Sequence, residues 1–186
     1  TGNSNTYVGK TAGYNNATGS GNVIVGHGAD CAVTDGNYAN GFGNGVSAVA
    51  GYTTIGESGD DIRAAHGNTT WSTVSDERYK KDITNATAGL SFINALKPRT
   101  FKYKNLGELP ETFRLYKANS TDVFKNSNTN HGFIAQEVKA AIDADSSIKD
   151  GFKLWDERPD GSQEVGEAAL IPVLTKAVQE LSTALD

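Results

Sequence analysis

The sequence has no methionine, one cysteine, four prolines and no long apolar run, and each scarcity excludes something. A lone cysteine, Cys31, permits no disulfide within the chain and no cysteine-based metal cluster. His27, His66 and His131 lie far apart without ligand spacing, so neither a metal nor a cofactor is expected. No stretch approaches the roughly 18 apolar residues of a membrane span, so no membrane insertion is expected. The first residues also lack the basic segment and apolar run of a secretory signal. With no methionine to begin from, the chain is expected to be a processed product or an excised fragment. Positive charge is in the minority: 17 Lys and Arg against 22 Asp and Glu leave a net charge of -5. That balance argues against wholesale binding to phosphate backbones, so a nucleic-acid partner is not expected.

What is present is unevenly distributed along the 186 residues, a length that suits one domain or two small ones. Residues 1–74 hold 15 of the 21 glycines but only two basic side chains, Lys10 and Arg63, and no proline. Residues 75–186 hold all four prolines and read as ordinary mixed globular sequence. A step this large predicts two architectures joined at residue 75, a segment 1–74 and a domain 75–186.

The first segment repeats. Val8-Gly9, Val25-Gly26, Asn40-Gly41 and Ile55-Gly56 follow one another at 17, 15 and 15 residues, most of them preceded by asparagine three positions earlier. A unit with one or two apolar residues cannot bury a core alone, but stacked units can. Glycine at a fixed place in each unit fits a bend that excludes a Cβ. Residues 69–74 are rich in β-branched and aromatic side chains and are expected to be extended.

At the composition step stands Ser75-Asp76-Glu77-Arg78-Tyr79-Lys80-Lys81. A hydroxyl at Ser75 and an amine at Lys80 meet if the chain turns between them, and serine needs such a base to act as a nucleophile. A lysine serves as base only when neutral, which requires burial or nearby positive charge, here from Arg78 or Lys81. The competing reading makes Ser75 a helix N-cap with Asp76 and Glu77 as the acidic first turn.

Further on, Leu90, Ile93, Ala95 and Leu96 predict a helix stopped by Pro98, and Phe101 and Tyr103 alternate with lysines as a half-buried strand. Ile134, Val138, Ala141 and Ile142 share one face of a second helix. The polar stretch 107–130 reads as a strand or two with loops, and residues 152–155 as another strand, ending at Arg158-Pro159-Asp160-Gly161. In the last helix Leu170, Leu174, Ala177, Leu181 and Ala184 step by four, three, four and three, a short heptad seam.

Two resemblances follow from these motifs. Over about residues 5–58 the repeat resembles the heads of trimeric autotransporter adhesins and similar stalks of phage tail fibres. That implies a β-roll with one turn per repeat and three chains side by side, the trimer supplying apolar contact that so thin a core lacks. Residues 75–186 resemble the intramolecular chaperone domains of the S74 autopeptidase family at the ends of phage tailspikes and tail fibres. The resemblance is carried by the Ser75 to Ile83 segment, by Gly89 to Tyr103 with its Leu96-Lys97-Pro98 stop, by His131-Gly132-Phe133-Ile134-Ala135-Gln136-Glu137-Val138, and by the helix from Glu167 to Leu181.

The resemblance implies an α+β domain with a coiled-coil-like terminal helix, after a β-roll, in a homotrimer. Such a domain brings three chains into register and then removes itself by autoproteolysis. Ser75 would be the nucleophile and Lys80 its general base; Asp76 and Arg78 would orient the turn or hold neighbouring charge, and His131 is a further candidate to reach the pair. The cut falls either between Val74 and Ser75 or between Ser75 and Asp76. The partners implied are two further copies and, through the mature fibre, a host-surface receptor. The setting implied is a virion tail fibre or tailspike assembled in the host cytoplasm, with the chaperone piece released.

Three other functions compete. One is a receptor-binding fibre tip or adhesin that retains its C-terminal domain. Another is a membrane-associated transcription factor of the myelin-regulatory type, which needs a basic DNA-binding region that residues 1–74 do not provide. The third is a hydrolase acting on other molecules, for which no second catalytic constellation is visible.

Overall fold

The computed structural model describes residues 2–148 and 152–185. Contacts divide the chain into Thr1–Ile83 and Thr84–Asp186. Composition changes at residue 75 and the contacts change after Ile83; the intervening segment, with Ser75 and Lys80, belongs to the first unit.

In the first unit each short apolar run makes one strand of a coil. The strands are β1 (Thr6–Val8), β2 (Val23–Val25), β3 (Asp30–Cys31), β4 (Asn40–Asn44), β5 (Ser47–Ala48), β6 (Tyr52–Glu57) and β7 (Asp60–Ala65). β1, β2, β4 and β6 stack in parallel, and β7 folds back antiparallel on β6, giving the order β1-β2-β4-β6-β7. β3 and β5 pair in parallel as a second, smaller sheet on the same core. This is a solenoid of the β-roll kind, and β7 ends its parallel stack.

The core is thin. Ile24, Ala29, Cys31, Ala39, Val46 and Ala48 fill it, with Tyr7 and Ala12 packed against them. Asparagine supplies what the small core cannot. Buried Asn22 donates from Nδ2 to Asn5 Oδ1 (3.1 Å) and Gly36 O (2.8 Å), and its Oδ1 accepts from Ala39 N (2.7 Å). One side chain thus ties three successive coils together.

The register corrects the expected repeat. Val8 pairs with Val25, Val25 with Phe42 and Phe42 with Ile55, so the steps are 17, 17 and 13 residues, and the third unit is centred on Phe42-Gly43 rather than Asn40-Gly41. Backbone geometry explains the choice. Gly9, Gly26, Gly43 and Gly56 all have φ between 132° and 148°, and at the first three a Cβ would overlap the carbonyl of the glycine one coil on. Gly41 has no such φ; it sits inside β4 facing Ile24 and Ala48. The paired row Val8, Val25, Phe42, Ile55 and Ile62 runs across all five strands, and four of its five members are exposed.

The second unit contains α1 (Leu90–Ala95), β8 (Arg99–Phe101), β9 (Asn130–Gly132), α2 (Ala135–Ala144), β10 (Trp155–Glu157), β11 (Gln163–Val165) and α3 (Leu170–Leu185). β8 and β9 form one antiparallel pair and β10 and β11 another. The three helices converge on one core: Phe92 of α1 and Leu96 just after it, Val138 and Ile142 of α2, and Leu170 and Val173 of α3 share it with Ala88 and Leu154. Of the stripe expected on α1, Leu96 is buried but Ala95 is exposed, and the largest buried side chain, Phe92, lies outside that stripe.

Three expectations shift here. Between Gly107 and the start of β9 at Asn130 the described residues carry no strand, only a 3-10 turn at Leu106–Glu108 and an isolated bridge between Asn105 and Val123. The strand expected at 152–155 begins at Trp155, after the core residue Leu154, and forms a hairpin through Pro159-Asp160-Gly161. The seam expected on the last helix is divided. Leu170 and Ala177 join Val173 inside the unit, whereas Ile171, Leu174, Val178, Leu181 and Leu185 stand exposed at steps of three, four, three and four. The helix first satisfies its own unit's core, so the free heptad line is the adjacent stripe.

Candidate active site

A tight turn builds the site. Residues Glu77–Tyr79 form one turn of 3-10 helix, and its N-cap is Asp76, not Ser75. Asp76 Oδ1 accepts from the Arg78 backbone N–H (2.8 Å) and Nε (2.9 Å), while Oδ2 accepts from Arg78 Nη2 (2.7 Å). Side-chain and then backbone hydrogen bonds from Arg78 hold the Asp76 carboxyl below its usual range, and Asp76 raises the Arg78 guanidinium in return. The pair therefore locks the turn, and Arg78's charge is spent on Asp76 rather than on Lys80.

The turn reverses the chain. Lys80 closes it, donating its backbone N–H to Glu77 O (2.9 Å). From there Nζ donates to Ser75 Oγ at 2.7 Å. Ser75 and Lys80 are both exposed. A hydroxyl and an amine at this separation can exchange a proton, and water exclusion is what turns such an amine into a base.

The approach to Ser75 is also ordered. Ser72 forms an antiparallel bridge with Arg63 on β7, with Arg63 N donating to Ser72 O and Ser72 N to Arg63 O, both at 2.8 Å. Thr73 Oγ1 donates to Asp61 O at 3.0 Å. The extended run expected at 69–74 thus reduces to a single bridge plus a side-chain bond. Val74 is exposed. Sequence reasoning missed Asp61, Arg63, Ser72 and Thr73, because nothing in their spacing reveals that β7 turns back and offers its edge.

His131 belongs to the second unit. It lies exposed on β9 and lines an open depression with Pro98, Arg99, Thr100, Gly132 and Phe133. Beside it Arg99 donates to both carboxylate oxygens of Glu137 (2.9 and 2.6 Å), which lowers the Glu137 carboxyl. Among the described residues no group of His, Cys, Asp or Glu is arranged to hold a metal ion, and no helix is long and apolar enough to cross a membrane.

Residues 75–146 match the peptidase S74 family, described as chaperone of endosialidase. The match begins at Ser75 and covers less than half of the chain; the terminal helix lies outside it. Similarity to this family supports a chaperone-of-endosialidase type of function for this part of the chain. No curated protein and no solved structure matches the chain.

Proposed function

We propose that the chain is an intramolecular chaperone that gathers three copies of itself, sets the register of the roll, and then cuts itself beside Ser75. The observation that carries this reading is the 2.7 Å contact from Lys80 Nζ to Ser75 Oγ, at the residue where the family match begins. Two surfaces support self-association: the apolar row across the roll and the exposed heptad line of α3. Repetitive coils pair almost equally well in wrong registers, so a non-repetitive domain that associates first removes the ambiguity.

The chemistry follows from the dyad. Lys80, as the neutral amine, takes the Ser75 hydroxyl proton while Oγ bonds to the Val74 carbonyl carbon. The carbon–nitrogen bond of that peptide breaks, and its nitrogen receives the proton from Lys80, leaving an ester and a free amine. Water then adds to the ester carbon, restoring the Ser75 hydroxyl and leaving a carboxyl on Val74. Within one chain this attack passes through a five-membered ring, whereas attack by Ser75 on its own carbonyl needs a strained four-membered one. The bond between Val74 and Ser75 is therefore favoured in cis. Because the single chain exposes both partners, covering them by neighbouring copies would desolvate the amine and couple cutting to assembly. A phage tail fibre or tailspike is the setting this reading implies.

Ser75→Ala and Lys80→Ala should each slow cleavage about 100-fold or more, the usual worth of a nucleophile or positioned base, with assembly intact. Denaturing gels report the cut and native mass the oligomer. Cutting at the normal rate in Lys80→Ala removes the base assignment. A monomer in dilute solution with a fully formed roll removes the chaperone role, and uncut trimers that bind cell surfaces favour a retained fibre tip.

A further inference from the structure

We infer that the outer edge of β7 is the substrate-positioning edge of the self-cleavage site, with Thr73 the positioning residue that ends the ladder one residue before Val74. The inference rests on the reading of Ser75 as nucleophile. β7 is the last strand of the sheet, so its outer edge presents unpaired backbone groups. Proteases commonly hold substrate as a strand added to such an edge, because main-chain hydrogen bonds fix an extended peptide regardless of its side chains. Here the added strand is the chain's own. The two bonds between Arg63 and Ser72 make one closely bonded antiparallel pair.

The register then decides what happens next. Continuing the ladder from the Arg63 and Ser72 pair would set Val74 opposite Asp61, with the Val74 N–H donating to Asp61 O. In the structure Asp61 O accepts from Thr73 Oγ1 instead, at 3.0 Å. Among the described residues no main-chain bond continues the ladder past Ser72. The peptide is thus held firmly up to residue 73, and Val74 leaves the edge unpaired and exposed. This is what attack on the Val74 carbonyl requires: an anchored approach, and an amide free to become tetrahedral.

A further consequence concerns the product. A cut between Val74 and Ser75 leaves residues 72 and 73 on β7, so the roll keeps the bridge at Arg63 and the side-chain bond to Asp61.

The test uses the full chain, with cleavage followed over time after assembly and across pH. Thr73→Val, which keeps the shape and removes the hydroxyl, should cut about five- to tenfold more slowly, the worth of one neutral hydrogen bond. Thr73→Ser should restore the rate. The pH at which the rate is half-maximal should be the same in all three proteins, because the dyad is untouched. In the uncut Ser75→Ala protein the Ser72 amide should be protected from hydrogen exchange and the Val74 amide should not. A wild-type chain that cuts while Thr73→Val matches its rate, or a Thr73→Ser protein as slow as Thr73→Val, overturns the positioning role alone. A Ser72 amide as unprotected as that of Val74 overturns the docking. A wild-type chain that never cuts overturns the function and the positioning role with it.

Discussion

At the scale of single residues, the first unit is held by polar groups as much as by apolar ones. Asn22 is fully buried, yet its amide is satisfied by Asn5, Gly36 and Ala39. Thr54 is also buried, and its Oγ1 has no partner among the described residues. The two sites should respond oppositely. Asn22→Ala strands buried partners and should cost about 2–3 kcal/mol, whereas Thr54→Val removes an unpaired hydroxyl at nearly constant shape and should be neutral or stabilising by about 1 kcal/mol. Denaturant midpoints of the two variants against wild type decide the matter. The asparagine was visible in the sequence as part of a repeat, but its role was not, because the bonds cross from one coil to the next. Likewise Ser75 and Lys80 are marked as a pair by the family resemblance, while Thr73 becomes visible only through its bond to β7.

At the scale of elements, α3 shows how a helix is claimed by two surfaces. Leu170, Val173 and Ala177 are buried in their own unit, and Pro172 sits in the first turn, where a missing N–H costs little. Ile171 and Val178 are each 64% exposed on the neighbouring stripe. The division predicts a clean separation of effects. Val178→Glu should leave the unfolding midpoint within about 0.5 kcal/mol of wild type while abolishing self-association through α3. Val173→Ala should destabilise the unit by about 2 kcal/mol through a core cavity. Native mass beside thermal melts separates these outcomes, and a trimer unaffected by Val178→Glu removes α3 as a contact. Heptad spacing was legible in the sequence, but two apolar stripes one residue apart satisfy the same spacing. Only the position of the core, set by Phe92, Val138 and Leu154, decides which stripe is free. A similar dependence caps α1: its first amide, Leu90 N, donates to Glu180 Oε2 of α3 at 2.8 Å, and a Cβ on Gly89 would meet that carboxylate.

At the scale of the molecule, several carboxylates of the second unit are held ionised by nearby hydrogen-bond donors. The hydrogen bond from Leu90 N, then Lys176, holds Glu180 below its usual range. Arg99 does the same for Glu137, and Ser147 for Asp145. The Ser162 hydroxyl and amide, with Arg114 N, bring Asp160 down to about 2. A folded-state pKa below the unfolded one gives stability that is present above the unfolded value, near 4, and is lost as pH falls through the folded value. The melting temperature of the second unit should therefore fall between about pH 4 and pH 2. Added salt should weaken the share from the exposed Arg99 and Glu137 pair more than the Asp160 share, which rests chiefly on neutral donors with a smaller part from the Arg158 charge. Melts across pH at two ionic strengths check both, and a melting temperature that is flat across that range removes the assignment.

What the linear chain shows is the change of composition between its two parts, a repeating unit with glycine at most of its bends, the apolar face of α2, and a spacing that lets Ser75 and Lys80 meet if the chain turns between them. These depend on local backbone geometry and on spacing within a few residues. Tertiary structure alone decided the register of the third coil, the free stripe of α3, the cap on α1, and the docking of residues 72 and 73 on β7. Each of those depends on which distant backbone or side chain arrives opposite, and a linear pattern carries no record of that until the chain has folded back on itself.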